Sequence, residues 1–314
     1  MKILMFGRGV IATQYAWAFE KAGNFVEFYV RPGRKAEFGT TVALNILDAR
    51  TKIRGISIKE NWDIALRETF DASHDYDLIF LSVQHYDFKN AIDFLTDKIG
   101  KATVLVFNNV WDEPKQLVAG LPESQLIWGF PQAGGGFNNK GVLNGAFLSS
   151  IYMETTGNDQ NAQNLEVIKL FKASGFKVKP VKDFRSWLFS HFVLDAAIHL
   201  ESLKSLNGLT SIDEMQTTGF WRNVFANGKE LIPLLVRRDV DIVANPQIRI
   251  FSLPPWLLSL AMKIIINFLP PFKQILTGHS NHFELKSYCQ GVMNKAEELN
   301  VDLPRYTYFK KIYQ

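Results

Sequence analysis

Residues 2–34 read KILMFGRGVIATQYAWAFEKAGNFVEFYVRPGR, and this stretch decides the fold. Residues 2–6 form a short apolar strand, residues 7–12 (GRGVIA) a glycine-containing turn, and residues 13–22 a helix. Gly23-Asn24 breaks that helix, residues 25–30 (FVEFYV) are rich in β-formers, and Arg31-Pro32-Gly33-Arg34 follows. The spacing G-x-G-x-x-A has a mechanical meaning when it joins a strand to a helix with a second strand behind. Gly7 permits the tight turn, Gly9 lets a pyrophosphate approach the backbone, and Ala12 lets helix and strand pack closely. Arg8, Val10 and Ile11 complete the loop and the helix start. Unpaired N–H groups and the positive end of the helix dipole there favour an anion. The stretch therefore predicts dinucleotide binding.

The end of the second strand selects the dinucleotide. An acid at this point suits a ribose 2′-hydroxyl, but this chain has Arg31, with Arg34 one tight turn later. Planar guanidinium groups donate hydrogen bonds in pairs and match a phosphate. The expected cofactor is NADPH/NADP, with Arg31 and Arg34 on the 2′-phosphate.

The 314 residues suffice for two domains with separate cores. A hydrophobic content of 47% with 21% charged residues is ordinary for a globular chain, and the net charge of +4 is small and dispersed, which argues against nucleic acid as a partner. The single cysteine, Cys289, excludes an internal disulfide framework. With no leader evident before the first strand, the expected location is the cytoplasm. Residues 256–269 (WLLSLAMKIIINFL) are strongly apolar, yet Lys263 interrupts them and proline pairs fence both ends. A membrane span needs about 20 apolar residues, so a buried helix, a cleft wall or a subunit interface is expected and no membrane association.

Strand and helix signals alternate through the first half, as a doubly wound sheet requires. Strands are expected at 41–47, 53–58, 77–83, 103–107 and 126–130, with helices at 86–96 and 113–119. Residues 134–136 (GGG) read as a turn, and residues 141–154 as a closing hairpin. The polar stretch 155–163 (TTGNDQNAQ) is a natural boundary. Beyond it helices dominate: 162–173, with Leu165, Ile168 and Phe171 on one face, then 184–203, 213–237 and 283–299. The fold class is thus α/β: a Rossmann-type doubly wound sheet over 1–155 that binds NADP, followed by an all-α domain over 156–314 for substrate and dimerisation. The cleft between them is the expected place for a substrate. Strand ends facing the cofactor carry Gln84 and Asn108, both able to bond its nicotinamide half, although such residues also form ordinary turns.

Several stretches resemble the ketopantoate reductase (2-dehydropantoate 2-reductase) family over essentially the whole length. They are KILMFGRGVIA, YVRPGR, FLSVQHYDFKNAI, VFNNV, ASGFKVKPVKDFRSWL and FELKSYCQGVMNKAEELNVDLPRYTYF. The resemblance implies hydride transfer from NADPH to a 2-oxo acid, with a lysine two residues after the helix tryptophan protonating the alkoxide. It also implies asparagines one and two turns later, and a glutamate with a nearby serine on the substrate. Glu284 matches that glutamate, with Ser280 and Asn281 before it as substrate contacts.

Four positions depart from that pattern, one of them Gln84, which stands where the family has a lysine behind the strand valine. Phe189 stands where the lysine belongs, and Val193 and Ala197 replace the asparagines. His191 and Asp195, four apart on one helix face, form the replacement acid. The competing reading makes them a structural hydrogen-bonded pair. His279 and His282 are too few for a metal site, so none is expected. The sequence thus predicts an NADPH-dependent reductase of a small carbonyl compound, a 2-oxo acid, with His191, Asp195 and Glu284 at the chemistry and a homodimer as an option. The alternative is a non-catalytic NADPH-binding protein that has lost the chemistry.

Overall fold

The computed structural model describes residues 1–155, 162–204, 212–278 and 281–313, and the chain divides into two compact units. The first comprises Met1–Asn108, Asp112–Phe184 and Pro270–Gly278; the second comprises Asn109–Trp111, Arg185–Leu269 and His279–Gln314.

Among its described residues the first unit is built on twelve strands: β1 (Lys2–Phe6), β2 (Phe25–Tyr29), β3 (Thr41–Asp48), β4 (Ile56–Asp63), β5 (Leu66–Arg67), β6 (Leu78–Leu81), β7 (Thr103–Val106), β8 (Leu126–Phe130), β9 (Ala133–Phe137), β10 (Leu143–Phe147), β11 (Ser150–Glu154) and β12 (Lys177–Val181). Eight of them form one sheet in the order β12-β11-β8-β7-β6-β1-β2-β5. From β8 to β5 every pairing is parallel, and β11 runs antiparallel to β8. The central strands are continuous apolar runs buried on both faces, as a sheet covered on both sides demands. Strand order reverses at β1, whose neighbours are β2 and β6. The carboxyl end of β1 is therefore the switch point at which such sheets bind ligands.

The glycine loop leaves that end and enters the helix Val10–Lys21. Ala12 is fully buried beneath it, which allows the close helix–strand approach. A second sheet, β4-β3-β10-β9, covers the helix from the other side. Gln14 of the helix donates from Nε2 to the carbonyl of Gly134 at 3.2 Å.

This second sheet corrects three sequence expectations. The glycine triplet at 134–136 lies inside β9 and is not a turn. Helix Pro270–Thr277 crosses it so closely that a Cβ at Gly134 would sit 2.8 Å from Ile275, and a Cβ at Gly135, where φ is +149°, would sit 2.3 Å from the Asn144 carbonyl of the paired strand β10. Glycine is there for contact. Residues 141–154 do not form a hairpin either, because β10 pairs with β3 and β9 whereas β11 joins the other sheet. Strand β4 starts later than expected and pairs with β3 along its whole length, from Thr41↔Asp63 to Asp48↔Ile56.

The unit continues past residue 155 because β12 pairs with β11 from Ser150↔Lys177 to Glu154↔Val181. The helix Ala162–Ala173 buries Asn164, Val167, Leu170 and Phe171, while Leu165 is exposed, so its inner face is rotated from the one read in the sequence.

The second unit is helical among its described residues. Helix Phe184–Ser202 forms its centre, with Leu188, Phe189, Phe192, Val193, Ala196 and Ala197 all fully buried. The Cys289 thiol of helix His282–Glu298 lies 3.9 Å from the Ala196 carbonyl, and burial holds it protonated. The single helix expected over 213–237 is three helices, Ile212–Met215, Thr218–Glu230 and Ile232–Arg237. Pro233 cannot donate within a continuous helix, and one segment restarts around it. Helix Pro255–Phe268 packs on Thr218–Glu230 and buries Ser259 and Ile266, but Trp256, Leu260, Ile264 and Phe268 are exposed along its outer face. Among the described residues no single helix is long and apolar enough to cross a membrane.

Candidate functional site

In the first unit the glycine loop has the geometry that an approaching anion requires. Gly7 has φ +96°, a left-handed conformation that favours glycine, and its N–H donates to the Tyr29 carbonyl at 3.0 Å. The loop is thereby tied to the end of β2. Gly9 caps the helix with φ −72° and ψ 175°, a conformation open to any residue, and no side chain satisfies the first N–H groups. The Thr13 N–H and hydroxyl both donate to the Gly9 carbonyl, at 2.9 and 2.8 Å. A Cβ at Gly9 would meet nothing nearer than the Ser82 carbonyl at 4.0 Å. Nothing within the fold therefore demands a glycine there. The exposed cradle over the helix N-terminus, with no acid in the first turn, fits a diphosphate.

Arg31 is exposed beyond β2, and its carbonyl accepts from the Arg34 N–H at 3.1 Å across the Gly33 turn. Arg34 pairs with Glu37 at 2.9 Å and stacks over Phe38 at 5.0 Å. Arg8 lies on Phe38 as well, at 4.6 Å, with Phe137 of β9 at 4.9 Å. Three guanidinium-bearing residues are thus gathered at the switch-point end of β1 and β2.

Asn108 is buried, and its amide is engaged within the fold. Its Oδ1 accepts from the Val83 N–H at 3.1 Å, and its Nδ2 donates to the Val83 carbonyl. It therefore fixes the loop after β6 and holds Gln84, which precedes a short 3-10 turn, in place.

The second unit gathers a different group. His191 Nε2 stands 3.7 Å from Asp195 Oδ2, an ion-pair distance but beyond a hydrogen bond. The Trp187 ring stacks on His191 with an interplanar angle of 6°. The direct hydrogen bond to Asp195 Oδ2 comes from Asn109 Nδ2 at 2.9 Å, and the same amide reaches the Tyr288 hydroxyl at 3.2 Å. Tyr288 is buried between Phe192, stacked at 4.2 Å, and His199, edge-on at 4.9 Å. Burial, then the Asp195 and Glu284 carboxylates, push its pKa well above the ordinary value, so the phenol keeps its proton. Glu284 occupies the first turn of helix His282–Glu298, one turn before Tyr288.

Asn281 caps this helix. Its Oδ1 accepts from the N–H groups of Phe283 and Glu284 at 3.2 and 3.3 Å, a role that helix formation by itself explains. Ser280 and His279 lie outside the described residues. Among the described residues no group of three or more His, Cys, Asp or Glu side chains could hold a metal.

Phe189 is fully buried, with the Arg238 guanidinium 3.6 Å from its ring and that of Arg185 at 4.7 Å. Val193 and Ala197 lie in the same core. Sequence reading missed Asn109 and Tyr288. The i, i+4 spacing of Glu284 and Tyr288 was a visible signal; the reach of Asn109 to Asp195, 86 residues away, was not.

Residues 3–157 match the family model described as Ketopantoate reductase PanE/ApbA. The chain carries a ketopantoate reductase family domain. Solved structures of this kind share the fold over nearly the full length. D-mandelate dehydrogenase with NADH and anilino(oxo)acetate superposes with a TM-score of 0.69 at 13% identity, covering 99% of this chain and 96% of that one. A PanE/ApbA family ketopantoate reductase from Ralstonia eutropha JMP134 gives 0.68 at 16%, covering 98% and 95%. The 2-dehydropantoate 2-reductase from Porphyromonas gingivalis W83 gives 0.62 at 15%, covering 98% and 96%. No curated protein sequence matches the chain.

Proposed function

We propose that this protein is an NADPH-dependent reductase of a small 2-oxo acid. The observation that carries the reading is the open glycine cradle at the end of β1, with Arg8, Arg31 and Arg34 gathered beside it, inside a ketopantoate reductase family domain. In this reading the first unit, which runs past the boundary expected at 155, binds NADP, and the second unit serves substrate and dimerisation.

Gly7, Gly9 and the N–H groups of Val10 and Ile11 hold the diphosphate. Arginines at the end of β2 hold the 2′-phosphate, and the loop fixed by Asn108 carries Gln84 beside the nicotinamide half. The reduced nicotinamide, when bound, supplies a hydride. The chain's own task is then to orient the carbonyl and deliver a proton to the oxygen. Phe189 can do neither. His191, stacked on Trp187 and held 3.7 Å from Asp195, is the proton donor, and Asp195 stabilises its charged form. Asn109 orients Asp195. Glu284 is the substrate contact on the helix that also carries Tyr288. The oxo acid complexed with D-mandelate dehydrogenase, anilino(oxo)acetate, supports a 2-oxo acid as the class.

The test is loss of reduced-nicotinamide absorbance when the protein is mixed with NADPH and a panel of branched and aromatic 2-oxo acids. Turnover of one member, with His191→Ala at least about tenfold slower, supports the assignment. One observation favours a second reading, a non-catalytic NADPH-binding protein: the lysine position of the family pattern is the fully buried Phe189. NADPH binding with no turnover of any member would favour that reading.

A further inference from the structure

Arg8 occupies the second position of G-x-G-x-x-A, which the pattern leaves open to any residue. Its surroundings give it a particular chemistry. The guanidinium lies against two phenyl rings, Phe38 at 4.6 Å and Phe137 at 4.9 Å. A guanidinium held on aromatic rings keeps its in-plane N–H groups for hydrogen bonding. Among the described residues the buried Nε has no hydrogen-bond partner, and a buried orphan donor is costly unless something supplies an acceptor. Partial burial also lowers the pKa of the group, the mark of a cation separated from its water.

Arg34 brings a second positive charge to the same Phe38 ring, at 5.0 Å. Glu37 answers Arg34 at 2.9 Å, whereas no ion pair joins an acid to Arg8 among the described residues. Two like charges drawn to one ring, one of them with an unanswered in-plane donor, form a receptor for an anion. Arg31 is different: it is exposed, and its carbonyl accepts from the Arg34 N–H.

We infer that Arg8, held against Phe38 and Phe137 and acting with Arg34, is the residue by which this chain distinguishes a 2′-phosphorylated dinucleotide from its unphosphorylated counterpart, with Arg31 a lesser contributor. The inference rests on the cofactor reading above and deepens it. A dianionic phosphate answers a desolvated guanidinium, while a ribose hydroxyl offers it only a neutral, weaker acceptor. The two rings hold the side chain in its binding geometry beforehand, so little rotamer freedom is lost on binding.

Calorimetric titration of the full chain with NADP⁺ and separately with NAD⁺ tests it. Arg8→Gln is expected to weaken NADP⁺ binding roughly 10- to 100-fold while NAD⁺ affinity stays within about threefold. Arg31→Gln is expected to change the NADP⁺/NAD⁺ ratio by less than about threefold. Arg8→Lys keeps the charge and loses the planar fork, so it should recover only part of the NADP⁺ affinity. It also serves as the check should the Gln variant be poorly folded.

Equal losses for both dinucleotides in Arg8→Gln and Arg8→Lys would overturn the inference, as would a larger ratio change from Arg31→Gln. Wild-type protein that binds neither dinucleotide would overturn the cofactor reading with it. Binding of both with an unchanged ratio in the Arg8 variants would overturn this inference alone.

Discussion

The Asn109 side-chain amide donates to Asp195 Oδ2 at 2.9 Å, while His191 Nε2 stands 3.7 Å from the same oxygen. The Asp195 carboxylate is therefore fixed by an amide from a distant part of the chain and stands at ion-pair distance from the imidazole on its own helix.

Asn109→Ala should remove the donor that the partly exposed Asp195 carboxylate shares with the Tyr288 hydroxyl. The expected cost is about 0.5–1.5 kcal/mol of stability, read as a lower denaturant midpoint at unchanged slope. Asn109→Asp should cost more, because a third carboxylate would join Asp195 and Glu284 around Tyr288. An unchanged midpoint in both variants would show that the amide is not holding the group together.

Gly7 and Gly9 should respond differently to substitution. Gly7→Ala forces a Cβ into φ +96° and should cost about 1–2 kcal/mol in thermal or chemical denaturation. Gly9→Ser meets an allowed conformation, open space and a good helix cap, so stability should hold within about 0.5 kcal/mol. Its dinucleotide affinity should nevertheless fall at least about tenfold, since the added side chain occupies the place of the phosphate. Retained affinity would put the ligand elsewhere.

Most of the sheet was legible in the sequence, because the buried parallel strands at β1, β6, β7 and β8 are unbroken apolar runs and the glycine loop sits between elements of unmistakable type. The second sheet was not. The triplet at 134–136 reads as a turn from local chemistry, and only the proximity of Ile275 and of the Asn144 carbonyl reveals why a strand there must lack side chains. In the candidate site, residues four apart on a helix could be paired by spacing alone, as His191 and Asp195 were. The contribution of Asn109, and the two rings around Arg8, depend on contacts between distant parts of the chain.

Gly135→Ala tests the second sheet directly. The new methyl would meet the Asn144 carbonyl at 2.3 Å in a conformation already unfavourable for it. A loss of about 3 kcal/mol or more is expected, seen as aggregation or as a steep fall in melting temperature. A variant as stable as the parent would argue that β9 does not pack in this way.

Alkaline stability should fall early. Burial raises the pKa values of Tyr288 and Tyr306 above the ordinary 10.0 and that of Cys289 above the ordinary 9.0. Once the pH passes those ordinary values the unfolded chain releases protons that the folded chain retains, so the unfolding free energy decreases with rising pH. Denaturant midpoints between pH 8 and 11 should show a decline starting near pH 9, and Cys289→Ala should delay its onset. A flat profile would mean that these groups are reached by solvent.

The account depends most on the opening loop as a dinucleotide cradle that reads the 2′-phosphate, and calorimetry of the wild-type chain with NADPH and with NADH measures that directly. The expected result is saturable one-to-one binding with NADPH the tighter ligand by at least about tenfold, a margin that shrinks as salt is raised. Tighter NADH binding, or no heat with either, would contradict it.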